Sequence, residues 1–577
     1  MSLETERKRS GREPFAIIEW DLDYCSLTYG TAPCTAAGST KCYNTRNINA
    51  DCQDIPNFTS SIKTHSFCTN VANHPQGLNS IPCLVSVSSV TDGEITPGKG
   101  MGERISRKII LQDMPYHDRN HDKYWNERTY DAESQGTLFG KLLACNPYHE
   151  GSVIRIKSGY LVSPFDPALL ETRTYVVNKV ERNKNSQVVI TVTDFLRLAD
   201  NDKAQCPTVN TGVLAADMVA GAATLTLSPA GIGNSEYSAS GRARINDQLV
   251  DFTRVNDVMT LTHGIGGTST DDHDAGDTVQ ECKVWTDTNV IDITYELLNT
   301  YVGIDAAYLP LATDWATERN RWMNASKATA TISEPEGVFD LLTELCEQFQ
   351  FNIWWDDKNQ KVQLKANMPL FGNAVPETLT EKYHMVEDSI SSKDLPKNRI
   401  SQVWVLYNPK NLVETDENRN YRNWFINPVA ENLYLSEHVR LIKSRWIQSE
   451  GQASALAGRL LNRFKNIPKR LTFNVDAKDG DITVGDIRIL DTDEIQSVDG
   501  SNEAHQVQIV AVSEIKQGDS FRVSAMSSYF SSRYAFITQP GVVDYSSASE
   551  DEKKLGAYIS ESLGVNFSDG TKPYLIP

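Results

Sequence analysis

The chain contains no apolar run near the roughly 18 residues of a membrane-spanning helix, no closely spaced cysteine pair of the C-x2-C kind, and no excess of basic charge. Its 56 Lys+Arg stand against 75 Asp+Glu, a net charge of −19. That balance argues against a general nucleic-acid binder, which carries a basic patch or stripe. The start, MSLETERKRSGREPF, is basic but has no apolar stretch after it, so no secretory leader is expected and a reducing cytoplasm is the expected folding compartment. No GxSxG, HExxH or Cys/His set with supporting context occurs, so no enzyme is expected. No internal repeat of a fibre-like adhesin is visible either. What is present is 40% hydrophobic residues with 10 Trp, 22 Tyr and 18 Phe. Over 577 residues this is enough for several cores, at about 100–200 residues per domain.

The pattern is mainly β with α+β parts. PFAIIEWDLDY, IPCLVSVSSV, RISRKIILQDM, GSVIRIKSGYLV, TRTYVVNKVER and SQVVITVTDFL are short β-rich runs between polar turns, several alternating with period two as at Val188, Ile190 and Val192. They predict a barrel or sandwich. TLTLSPAG, RARINDQLVDFTR, VMTLTHGIGG and GDTVQECKVW predict a small inserted β unit leaving and re-entering near Cys206 and Cys282, which could face each other. Few amphipathic helices are expected. One follows SEPEG, with Ser333 as cap, Pro335 in the first turn and Val338, Leu341, Leu342, Leu345 and Phe349 on one face beside a buried Cys346; another spans 450–465. A hairpin is expected around Asp356–Gln360. The resulting division is an N-terminal β domain (1–207), the insert (208–284), an α+β domain (285–395), a β-rich domain with one helix (396–541) and an extended tail (542–577).

Six of the ten cysteines fall in the first 83 residues, and Cys25, Cys34, Cys42 and Cys52 share one segment rich in Gly, Pro, Thr, Asn and Ala. Four thiols on irregular backbone can converge on one point. Such a set suits a [4Fe–4S] cluster or Zn²⁺, with cysteines that only pack as the remaining reading. Wide spacings favour the larger cluster over zinc, and Cys68 is close enough in sequence to replace one ligand.

Three other motifs are read as structural. Gly93-x4-Gly98-Lys99 resembles a phosphate loop but continues with Gly100 where a Ser or Thr should follow, so it is read as a turn. His117, Asp118, His121 and Asp122 are read as a solvated polar loop. Asp479, Asp481 and Asp486 are read as hairpin turns rather than a calcium loop.

In order along the chain, DYCSLTYGTAPCTA…KCYNTRN…DCQD, PGKGMGERIS, PYHDRNHDKYWNERTY, TLTLSPAGIG, GRARIND, HDAGDTVQ, ISEPEGVFDLLTELCEQFQFNIWWDDKNQKVQL, LLNRFKNIPKRLTF and SDGTKPYLI resemble a family of tail-tip (baseplate) hub proteins. These belong to phages with long, non-contractile tails that infect Gram-negative bacteria. The resemblance spans nearly the whole chain. It implies a structural virion protein at the distal end of the tail, assembled in the bacterial host cytoplasm. It implies β-barrel hub domains in a homotrimeric ring that meets the tail tube and other tip proteins and gates DNA in transit. It also implies a lambda-type [4Fe–4S] segment on Cys25, Cys34, Cys42 and Cys52, although the stretch between Cys42 and Cys52 is longer than the family pattern. Receptor binding, through the insert 208–284, is the alternative role; a tail-associated cell-wall-degrading enzyme is a further one. No stable membrane insertion is expected.

Overall fold

The computed structural model describes residues 2–46, 52–200, 204–368, 376–413, 421–428, 436–516, 518–528, 547 and 549. Mainly β and multidomain, it begins with a closed seven-stranded barrel. The strands are β1 (Pro14–Cys25), β2 (Ser60–Thr69), β3 (Ile81–Asp92), β4 (Ile105–Gln112), β5 (Val153–Tyr160), β6 (Leu170–Arg182) and β7 (Gln187–Thr193). Their order is β1-β2-β3-β4-β7-β6-β5, with β5 returning to pair with β1.

Alternation fills the barrel. Ile18, Trp20, Leu22 and Tyr24 of β1 meet Phe67, Ile109, Leu111, Ile154, Tyr175, Val188, Ile190 and Val192 inside it. Trp20 is fully buried, and its Nε1 donates to Ser152 Oγ at 2.8 Å. On the outside, Arg155 bridges Glu19 and Asp21 across the β1–β5 seam. β2 was not among the sequence-predicted strands, because SSIKTHSFCT has exposed polar residues over its first half and a clear buried alternation only at its end. One mouth is capped by the helix Leu138–Cys145, whose Leu138, Phe139 and Leu142 join the barrel core.

The insert is built on the sheet that contains Val213–Leu214, Thr224–Ser228, Ser240–Ile245, Gln248–Val255, Val258–Thr262 and Val279–Asn289. That last strand runs on past residue 284. It pairs first with Ser240–Ile245 and then with Lys327–Ile332 of the main body, so one sheet crosses the boundary expected from sequence. Cys206 and Cys282 do not pair: both are free, Cys206 in the central core and Cys282 in a small cluster with Leu249 and Val413.

The central core gathers the helices Val290–Glu296, Val338–Phe349 and Glu450–Phe464, the hairpin Phe351–Asp356/Lys361–Ala366 and the strand Gln402–Pro409. The helix after SEPEG starts later than expected. Its N-cap is Gly337 and not Ser333, because Glu336–Gly337 pairs with Gln205–Cys206 and Glu336 is held by Arg445. A six-stranded sheet follows, made from Thr378–Thr380, Ile487–Asp491, His505–Lys516, Ser520–Ser527, Lys469–Asp476 and Ser391–Asp394. The expected tail 542–577 lies outside the described residues apart from Ser547 and Ser549.

The glycine-rich turn at 93–104 fastens the barrel to this body. Ile95 N–H donates to the Val510 carbonyl at 2.9 Å, and Ile95 and Met101 enter the central core. Gly98 sits at φ +78°, where a Cβ would lie 2.5 Å from the Phe464 ring. The glycines here allow close packing of chain on helix.

Candidate functional site

β1 ends at Cys25 and β2 begins at Ser60, so the loop carrying Cys34, Cys42 and Cys52 leaves the barrel rim and returns to it. All four cysteines are free and partly buried. Burial pushes the Cys42 thiol up, a backbone N–H from Asn44 opposes that, and the nearby Cys52, Cys34 and Cys25 raise it further. Burial likewise raises Cys52, which receives a backbone N–H from Asp54 and feels Cys25 and Cys34. Cys42 and Cys52 thus feel the charge of the other cysteines of the loop. Among the described residues, however, no three His, Cys, Asp or Glu side chains are grouped as for a single metal ion.

Cys68 is not part of this group. It pairs with Ile17, eight positions back along β1 from Cys25. At about 3.3 Å per residue that is roughly 26 Å away. Cys68 packs instead with Phe15 and Ile17, and Cys83 lies inside the barrel.

The polar stretch after β4 departs most from the sequence reading. Asp118, His121 and Asp122 are not solvated but buried, at 1%, 3% and 1% exposure. They form the floor beneath the cysteine loop. Asp122 receives Arg128 Nε at 2.6 Å and Nη2 at 3.0 Å, a two-pronged pair with side-chain exposures of 0% and 7%. The rest of the Arg128 fork reaches the loop: Nη1 donates to the Lys41 carbonyl at 2.6 Å and Nη2 to the Cys42 carbonyl at 3.0 Å. Its guanidinium also lies 4.0 Å from the Tyr43 ring centre.

Neighbouring residues repeat the arrangement. Glu127 pairs with Lys41 at 2.8 Å. Tyr124 Oη accepts the Tyr29 N–H at 2.8 Å, and Lys123 donates to the Leu27 carbonyl and Thr28 Oγ1. Below, Asp118 takes Lys141 at 2.6 Å and the Tyr130 hydroxyl at 3.0 Å, with His121 Nε2 3.2 Å away. Lys141 belongs to the capping helix, so loop, floor and barrel mouth form one connected polar structure. The available signal was composition: PYHDRNHDKYWNERTY mixes acids and bases with four aromatics, more than a solvated turn needs.

This arrangement can hold an inorganic centre bound by thiolates. It offers four sulfur donors, N–H groups aimed at two of them, and a cation close by at the Cys42 carbonyl. The phosphate-loop near miss is a packed turn. Around 477–486 the chain forms a short 3-10 turn before the strand Ile487–Asp491, with Thr483 N–H donating to Asp486.

No family model matches this chain, and no curated protein sequence matches it. Solved structures overlay on much of it. A tail protein from Neisseria meningitidis is 8% identical, with 74% of this chain and 90% of that one covered and a TM-score of 0.37. The 43 kDa tail protein of prophage MuSo2 from Shewanella oneidensis is 9% identical, with 74% and 90% covered and a TM-score of 0.35. A prophage tail protein from Listeria monocytogenes is 10% identical, with 76% and 87% covered and a TM-score of 0.33.

Proposed function

We propose that this chain is a structural protein of a phage tail tip, a hub that joins the tail tube to the host-recognition end, with Cys25, Cys34, Cys42 and Cys52 as ligands of a [4Fe–4S] cluster. The observation that carries the cluster reading is the gathering of four free thiols on one rim loop of the barrel. In a mononuclear site, sulfurs about 2.3 Å from one zinc ion stand roughly 3.8 Å apart. The wide spacing of the four cysteines along the chain suits a larger cage better. The hub reading rests on the ordered motifs along the chain, with a mainly β, multidomain body as their physical setting.

A bound cluster would add covalent cross-links to a loop of loop-forming composition. The chain's own residues do the rest. Burial raises the Cys42 and Cys52 thiols, and the backbone N–H groups of Asn44 and Asp54 offset part of that rise. The role proposed for the centre is structural. In a homotrimeric ring, protomer stability and assembly are linked, so a firm rim loop supports a ring that must stay shut until DNA passes.

The test is a virion carrying Ser at all four cysteine positions. Expected are loss of the brown colour and of iron, and tails that fail at the tip. Normal assembly and infection by such virions would remove the structural role. A purified chain that stays a monomer and binds neither iron nor zinc, aerobically or anaerobically, would remove the whole reading.

A further inference from the structure

We propose that residues 118–130 are a built-in cradle that holds the cysteine loop in its thiol-gathered shape before any inorganic centre is bound, with Arg128 as the positioning residue for Cys42. The inference rests on the cluster reading only for what the cradle serves; the cradle itself is visible in contacts that involve no sulfur.

A site assembled by its metal has ligands that are unrestrained until the metal arrives. This loop has protein partners of its own. Its first arm is held at Leu27, Thr28 and Tyr29 by Lys123 and Tyr124. Its second arm is held at Lys41 and Cys42 by Glu127 and Arg128. β1 fixes the starting point, since Cys25 N–H donates to the Asn44 carbonyl at 2.7 Å and Asn44 Nδ2 returns to the Leu27 carbonyl at 3.2 Å. Asn44 adopts φ +59°, which turns the chain sharply just after Cys42.

Arg128 is the residue these contacts converge on. Asp122 fixes one side of its planar fork, and the other side spends its donors on two consecutive carbonyls, one of them that of a ligand residue. An ammonium group could keep the charge pair with Asp122 but could not span both carbonyls and stack on Tyr43. Arg128 thus sets where the Cys42 backbone sits, and through it where the sulfur points.

The experiment compares full-length wild type, Arg128→Ala, Arg128→Lys, Tyr124→Phe and the quadruple Cys→Ser variant, all purified iron-free under anaerobic conditions. The first readout is trypsin cleavage after Lys41, followed by mass spectrometry. The second is the rate of iodoacetamide labelling at Cys42 and Cys52. Expected is slow cleavage after Lys41 in wild type and in the quadruple Ser variant alike. Arg128→Ala should be cut at least tenfold faster and labelled faster, with Arg128→Lys nearer to Ala than to wild type. Barrel unfolding followed by hydrogen exchange at Trp20 and in β7 should stay in place. After anaerobic reconstitution with equal ferrous and ferric iron and sulfide, Arg128→Ala should bind less iron, and after reduction with dithionite it should give an altered electron paramagnetic resonance signal.

Equal rapid cleavage after Lys41 in iron-free wild type, quadruple Ser and Arg128→Ala would overturn the cradle. Should Arg128→Ala fail to fold, Tyr124→Phe decides: it removes the acceptor for Tyr29 without stranding a buried charge, and unchanged cleavage there overturns the proposal. Wild type that takes up no iron yet keeps the cleavage contrast would sink the cluster reading and leave the cradle standing.

Discussion

The connections at 26–59 and 93–104 both join neighbouring strands of one barrel and both are rich in turn formers, yet they are ordered by different physics. The second is held chiefly by apolar packing, where Ile95 and Met101 enter the central core and Gly98 packs against Phe464, with the ion pairs Glu94–Arg470 and Arg104–Asp200 at its ends. Among its described residues the first buries one apolar side chain, Ala36, and is held by charge-assisted hydrogen bonds to a buried polar floor. Apolar packing is forgiving of chemistry and strict about volume. A buried ion pair is the reverse: it gives little net stability when intact and is expensive to break.

The largest break in that comparison is Asp122→Ala. It strands a buried guanidinium, and about 3–5 kcal/mol is expected, expressed chiefly as undocking of the cysteine loop; hydrogen exchange at Asn44 and Tyr29 should rise well before exchange in β7. Smaller is Gly98→Ala on the packing side. Left-handed backbone with a Cβ is strained by about 1–2 kcal/mol, and overpacking at Phe464 adds about 1–3 kcal/mol. Chemical denaturation should report both, and the double variant with Phe464→Ala should recover the packing part alone.

pH separates the two loops next. Burial holds the His65 imidazole down to about 3, beside Tyr24 Oη at 3.2 Å under the polar floor. Burial also lowers His121. A histidine whose folded pKa is depressed leaves stability intact above its unfolded pKa near 6.5, and stability falls as pH drops below it. The barrel mouth should therefore lose about 1.4 kcal/mol per pH unit from His65 alone between pH 6.5 and 3. His65→Leu should flatten this slope in a pH series of thermal melts, while at loop 93–104 the buried Asp194 that accepts the Ile105 N–H, raised to about 6, adds a separate dependence. The smallest effect is expected from Lys41→Gln. Its pair with Glu127 is partly exposed, so no more than about 0.5 kcal/mol should be lost, and loop protection should change little.

Several of these elements were legible in sequence. Alternation at Val188, Ile190 and Val192 marked a barrel strand, and Val338, Leu341, Leu342, Leu345 and Phe349 marked a helix face. The helix start was misread because Ser333 and Pro335 look like a cap locally, while a pairing with Gln205–Cys206, far away in the chain, claims Glu336–Gly337. β2 was missed because its exposed half lacks period two.

The candidate site divides the same way. Composition by itself fixed that four cysteines share one loop-forming segment, since thiol count and turn residues are properties of the chain. It also determined a mainly β body, since side-chain alternation follows from strand geometry. Only tertiary structure decided that Cys68 stands apart and that Asp118, His121 and Asp122 lie under the thiols. Burial of a charged residue is not encoded in its own neighbourhood. It depends on whether a partner such as Arg128 or Lys141 is brought to hydrogen-bonding distance by a fold that the local sequence does not reveal.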